Sequence, residues 1–210
     1  MSEKLLELKT GDFLKELAAD TAAPGGGSVA ALQGALGCAL LEMVLGLTLK
    51  SAKYAQNHKK AAKLLLAVRE LDAFFQSAVD ADSSAFESVM KAYGLPKDTE
   101  EKKSRRTLEI QEALKGATAV PYSVLLKIQE ATILALEISQ FFNTSTASDL
   151  GSAIAALQAG AESALLNVKV NLGSIKDEAF VEKHHTEGER LLKEIQENIE
   201  TLLVRVKRSI

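Results

Sequence analysis

The chain has 210 residues, 47% apolar and 25% charged, which is enough for a packed core and excludes a disordered chain or a disulfide-stapled mini-protein. Lys and Arg number 25 against 28 Asp and Glu, so the formal charge is −3 and no overall basic field serves nucleic acid or an anionic membrane surface. Aromatic residues are 5% and Trp is missing, which removes the usual stacking platforms for single-stranded nucleic acid.

Met1 to Leu6 lacks the apolar core of a secretory signal, and the protein is expected in the cytoplasm. Asp12 is placed to cap a short first helix carrying Phe13, Leu14 and Leu17. Pro24-Gly25-Gly26-Gly27-Ser28 then breaks the chain, with Ser28 positioned to cap the next helix. Val29 to Leu49 is long enough to span a bilayer, but Glu42 would be costly in lipid. The reading is a helix buried all round in a soluble bundle, with no membrane partner. Cys38, the single cysteine, lies in this run and reads as a buried thiol in a reducing compartment.

A third helix runs from about His58 to Tyr93, with the stripe Leu64, Val68, Leu71, Phe75, Val79, Asp82, Phe86, Val89 and Tyr93. Gly94-Leu95-Pro96 ends it. Asp98 with Glu101 resembles a capping box for a fourth helix reaching Ala119, and Pro121 suits the first turn of a fifth through Phe142. Asn143 to Asp149 is a turn, with Ser148 or Asp149 capping a sixth helix to about Gly173. The last helix covers roughly Asp177 to Arg208, with Leu192, Ile195, Ile199, Leu202 and Val206 on one seam. No β-rich segment and no long linker interrupts the pattern. Residues 1–210 form a single all-α domain, a multi-helix up-and-down-like bundle.

Two places break the packing rule. Asp82 occupies an apolar stripe position, where a carboxylate must be paired, hydrogen-bonded or protonated unless the helix turns it to water beside Asp80. On the sixth helix, Asp149, Ala153, Ala156, Gly160, Ala164, Asn167 and Asn171 recur at intervals of three and four and share one face. That face suits either close helix packing, with Asn side chains bonded across it, or the approach of a flat ligand whose ring edge the carboxamides recognise.

Other signals are weaker. Gly25 to Ala30 matches a relaxed G-x-G-x-x-A dinucleotide fingerprint, but no strand precedes it. The glycine run is therefore either a capped turn or a place where a ligand lies against the backbone. Glu182-x-x-His185 is a single Glu-x-x-His, half of what a di-iron bundle needs, so no metal is expected. Glu100 to Arg106 reads as a solvated face of mixed sign, so no nucleic-acid partner is expected.

Pro24-Gly25-Gly26-Gly27-Ser28-Val29-Ala30-Ala31 resembles the signature near the start of the cyclodeaminase/cyclohydrolase family. Further matches follow in order: Asp82-x-x-Ala85-Phe86, Leu95-Pro96-Lys97, Ala119-Val120-Pro121, Asn143 with Ser148-Asp149, and Asn167-Val168-x-Val170-Asn171-Leu172. The likeness spans about Phe13 to Asp177; Thr21-Ala22-Ala23 departs from it where many relatives carry another proline. The resemblance implies a helical homodimer that binds a tetrahydrofolate derivative and uses no cofactor or metal beyond that substrate. A stand-alone chain of this kind is similar to the cyclohydrolase, which converts 5,10-methenyltetrahydrofolate and water to 10-formyltetrahydrofolate. The alternative is 5-formiminotetrahydrofolate cyclodeaminase, which closes the ring and releases ammonia.

Either reaction passes through a tetrahedral carbon between two folate nitrogens. A carboxylate beside it stabilises the methenyl cation, takes a proton from water and returns one to the departing nitrogen. By the resemblance Asp149 is the first candidate for this acid/base and Asp82 the second. Gly25, Gly26, Gly27, Ser28, Asn143, Ser148, Asn167 and Asn171 are the expected substrate-binding residues. The rival from another class is a non-catalytic helical folate-binding or adaptor protein, which gives Asp82 and the glycine run no chemical purpose.

Overall fold

The structure, a computed structural model, describes residues 4–210; the reading of the amino terminus therefore lies partly outside the described residues, at Met1 to Glu3. Six α-helices follow in order: α1 (Thr10–Leu17), α2 (Gly26–Lys50), α3 (His58–Tyr93), α4 (Glu100–Ile138), α5 (Ala147–Leu172) and α6 (Glu178–Lys207). Short 3-10 turns cover Leu5–Glu7, Ala52–Asn57 and Thr144–Thr146, and no strand occurs among the described residues.

Helices α2, α3, α4 and α5 pack as a four-membered ring, and α6 lies in the groove between α4 and α5. The main core runs through Leu41, Leu45, Phe75, Leu125, Ile128, Leu150, Ile154, Leu157 and Ile195, all sealed from water. A second cluster, centred on Val89, Ile110, Leu114, Val168 and Leu172, closes the end of the bundle where α3 finishes and α4 begins. Burial pushes the Cys38 thiol up to about 12, as expected for an inert core cysteine.

The structure corrects several boundaries. The fourth and fifth expected helices are one, α4, which passes through Pro121 without a break. A proline inside a helix leaves the carbonyl four residues earlier without its donor. Here that carbonyl is Ala117 O, and Asn171 Nδ2 of α5 donates to it at 2.9 Å. The side chain on the neighbouring helix thus replaces the amide that Pro121 lacks. The cap of α4 is Thr99, whose hydroxyl accepts from Lys102 N–H at 3.2 Å, while Asp98 pairs with the Lys102 ammonium. Asp12 lies within α1 rather than capping it and pairs instead with Lys15. On α6, Leu191 fills the seam position and Leu192 is half-buried. The cap of α6 is Asp177, which accepts from Phe180 N–H at 3.0 Å.

α2 is not buried all round. Leu36 is 52% exposed, and Met43 and Leu47 are each 39% exposed. With Leu40 they share one outward stripe at helical spacing.

Candidate functional site

The glycine run does two jobs at the start of α2. Gly25 precedes the helix in extended conformation, and α2 begins at Gly26, three residues earlier than a Ser28 cap requires. Ser28 therefore sits inside the first turn, fully buried, and points at α3. Its Oγ donates to Val79 O at 2.9 Å and lies 3.2 Å from Asp82 Oδ2 and 3.3 Å from Ser83 Oγ.

Gly27 faces Asp82 directly. A methyl at Gly27 would stand 2.5 Å from Asp82 Cγ and 2.7 Å from Oδ2, closer than real side chains approach. Gly26 faces the other way: a methyl there would stand 3.0 Å from Asn167 Nδ2. Since the two glycines are adjacent in the chain, Asp82 and Asn167 flank the helix start within about 12 Å of each other. The missing side chains let α3 and α5 bring polar groups against the backbone of α2.

Burial pushes the Asp82 carboxyl above its ordinary value, and the Ser28 hydroxyl and then the Ser28 amide pull it back. The free amides at the start of α2 favour a carboxylate there. Asp82 is thus half-buried, shifted toward the protonated form and held by the hydroxyl and the amide of Ser28. A carboxyl raised in this way is a stronger base than an exposed one and is suited to accept and return a proton.

The small-residue face of α5 packs on α2 in antiparallel fashion. A methyl at Gly160 would meet Ala30 O at 3.1 Å, and one at Gly37 would meet Leu157 and the carbonyl of Ala153. Close helix packing therefore accounts for the middle of the face. At its ends the polar residues separate. Asn167 Nδ2 donates to Ser163 O at 2.8 Å, one turn back, and Asn171 serves Ala117 as described.

Asn143, Ser148 and Asp149 stand at the opposite end of the bundle. Asn143 N–H donates to the Thr48 hydroxyl at 2.9 Å, near the last residue of α2, and Asn143 Oδ1 accepts from Ser145 N–H and Oγ. Ser148 is exposed, and Asp149 is half-buried in the first turn of α5. At 1.5 Å per residue, Asp149 lies about 27 Å along α5 from Asn167. Within one chain, then, Gly25 to Ser28, Asp82 and Asn167 come together, whereas Asn143, Ser148 and Asp149 form a second group.

Sequence reasoning missed Ser83. It lies beside Asp82 in the chain but off the apolar stripe, and only the packing of α2 on α3 reveals that it touches Ser28.

The fold and this site define an all-α bundle that holds a half-buried carboxylate and a carboxamide against a glycine-opened helix start. Residues 9–190 match the family model described as formiminotransferase-cyclodeaminase, and the chain belongs to that family. Its relatives include a methenyltetrahydrofolate cyclohydrolase of Methylorubrum extorquens, 41% identical over 182 residues, covering 87% of this chain and 88% of the relative. The mouse formimidoyltransferase-cyclodeaminase is 36% identical over 192 residues, 91% of this chain but only 36% of that longer protein. The crystal structure of formiminotetrahydrofolate cyclodeaminase from Thermotoga maritima superimposes with a TM-score of 0.80 at 31% identity, over 98% of this chain and 96% of that one.

Proposed function

We propose that this chain is a folate one-carbon enzyme that hydrolyses 5,10-methenyltetrahydrofolate to 10-formyltetrahydrofolate. The observation that carries the reading is Asp82, a carboxylate displaced toward its protonated form and seated against Gly27, with Ser28 as its hydroxyl partner. The 41% identity to the Methylorubrum cyclohydrolase, over 88% of that protein, favours this reaction. In the proposed mechanism Asp82 stabilises the methenyl cation and takes the proton of the attacking water. Asn167 and the exposed surface of Gly26 orient the pterin, whose flat ring suits a helix start without side chains. Only carboxylate, hydroxyl and carboxamide groups of the chain act.

The likeness to the Thermotoga cyclodeaminase supports a second reaction at the same site, ring closure of 5-formiminotetrahydrofolate with release of ammonia. Steady-state turnover of both folates by the purified chain, followed by the ultraviolet absorbance of the methenyl form and corrected for spontaneous hydrolysis, decides between them. A chain that turns over neither, yet is thermally stabilised by a reduced folate, is a binding protein; one not stabilised at all is an adaptor.

We further propose that the chain acts as a homodimer through the outer stripe of α2. Leu36, Leu40, Met43 and Leu47 leave an apolar row uncovered. At its edge, Gln33 Oε1 is buried without a hydrogen-bond partner among the described residues, a condition that a donor from a second copy would relieve. A two-fold axis crossing α2 near Leu40 would set the start of α2 in one subunit beside its end in the other. Asp149 and Asn143 of the partner subunit would then approach Asp82 and the glycine run, although about 36 Å separates the two ends of α2 within one chain. Mixing Asp82→Asn with Asp149→Asn subunits tests this. Random reassociation recovers about a quarter of the wild-type activity if each site draws one Asp from each subunit. No recovery above the separate variants contradicts the shared site.

A further inference from the structure

Hydrolysis of the methenyl group carries a proton balance that the site must meet. The water oxygen bonds to the one-carbon centre, the electron pair of the C=N bond returns to nitrogen, and one water proton passes to Asp82. The carbonyl then forms as the bond to N5 breaks, and the remaining hydroxyl proton ends on N5. A cation and water have become a neutral product and one proton, which stays on Asp82 until it is exported. A folate lying over the exposed side of Gly26 closes that route.

The structure holds another route. Next to the glycine run is a cavity of about 560 Å³, lined by Asp80, Ser83 and Glu87 of α3, Glu16 of α1, Lys4 and the Ala23-Pro24 pair that precedes Gly25; Asp82 itself does not line it. Asp80 Oδ1 accepts from Leu5 N–H at 2.8 Å, which holds the amino-terminal 3-10 turn as one wall. Ser83 is the member of this lining that touches the buried hydroxyl of Ser28, at 3.3 Å, and Ser28 in turn reaches Asp82 at 3.2 Å. The Ser28 proton rests on Val79 O, so a rotation of one hydroxyl aligns it with Ser83. Two hydroxyls in series thus join the carboxylate to a water-accessible space whose walls carry the carboxylates of Glu16, Asp80 and Glu87 and the Lys4 ammonium.

We propose that Ser28 and Ser83 form the exit for the proton released by the hydrolysis, passing it from Asp82 to the cavity that Ser83 lines. The transfer is concerted. Asp82 gives its proton to Ser28 Oγ, Ser28 gives its own to Ser83 Oγ, and Ser83 gives its own to water in the cavity, which regenerates the carboxylate and both hydroxyls. This inference rests on the hydrolase reading; for the deaminase reaction, which consumes protons, the same chain runs inward.

The test uses the full chain with Ser83→Ala and Ser83→Thr, assayed in a bulky buffer at low concentration and then with imidazole added. Ser83 is half-buried and its loss leaves Ser28 and Asp82 in contact. The expected result is a fall in kcat of about tenfold for Ser83→Ala with KM unchanged, restored by imidazole, while Ser83→Thr keeps wild-type turnover and solvent isotope effect. A Ser83→Ala enzyme that matches wild type in the bulky buffer overturns the exit and leaves the hydrolase reading standing. A loss that neither imidazole nor Ser83→Thr restores also overturns it, by assigning Ser83 a structural part. A wild-type chain without folate turnover removes the hydrolase reading itself, and the exit with it.

Discussion

Replacing Gly27 by Ala adds one methyl at the most sensitive point of the site. Its ideal position is 2.5 Å from Asp82 Cγ, whereas unstrained carbon atoms meet at about 3.5 Å, so the carboxylate must retreat by about 1 Å. That movement breaks the 3.2 Å contact with Ser28. A misplacement of this size costs about 10²-fold in rate when the displaced group acts on the reacting atoms. Stability is bounded separately: removing a helical glycine gains up to about 1 kcal/mol, and overpacking costs about 1–3 kcal/mol. The net loss of at most about 3 kcal/mol corresponds to a fall in Tm of no more than about 12 °C for a chain of this length. The assay is kcat/KM for methenyltetrahydrofolate beside a melting curve. Two further glycines grade the effect. Gly26→Ala meets only the flexible end of Asn167 at 3.0 Å and should raise KM by about tenfold or less. Gly46→Ala meets nothing within 4 Å and should leave turnover unchanged while stabilising α2 by about 0.5–1 kcal/mol. A folded Gly27→Ala enzyme with full kcat/KM would refute the role given to Asp82.

Two more outcomes follow from the same contacts. The Asp82 carboxyl is raised in the folded chain, so between its ordinary value and the folded one the native state binds more protons than the unfolded state. Its contribution to stability therefore declines as pH rises through that window. Asp82→Asn lacks this slope, and melting curves from acid to neutral pH should show the variant gaining on wild type as pH climbs; a constant difference contradicts the shift. Asn171→Ala leaves Ala117 O without a donor and should cost about 1–3 kcal/mol. In a Pro121→Ala background the helix supplies its own amide, so the cost should shrink; equal costs in both backgrounds would show that Asn171 does not stand in for the missing donor.

The fold was largely legible because apolar spacing of three and four persists over every long helix. The errors fell where a local rule met a tertiary contact. Pro121 reads as a helix start, yet Asn171 on another helix supplies the donor that allows α4 to continue. Ser28 reads as a cap, yet α2 begins three residues earlier than that requires and the hydroxyl turns to Val79 and Asp82. Asp82 stood out because a carboxylate on an apolar stripe violates packing unless something compensates it. The glycines stood out through their density, but which one faces Asp82 depends on how α2 docks on α3. Asp149 and Asn167 share a helix face, but the rise of about 1.5 Å per residue already sets them about 27 Å apart, which a shared face does not express.

The most direct test compares the turnover of 5,10-methenyltetrahydrofolate by wild type and Asp82→Asn, each confirmed folded by its melting curve. The account predicts hydrolysis by the wild type well above the spontaneous rate and a loss of about 10²-fold or more in the variant. Full hydrolysis by folded Asp82→Asn would contradict it.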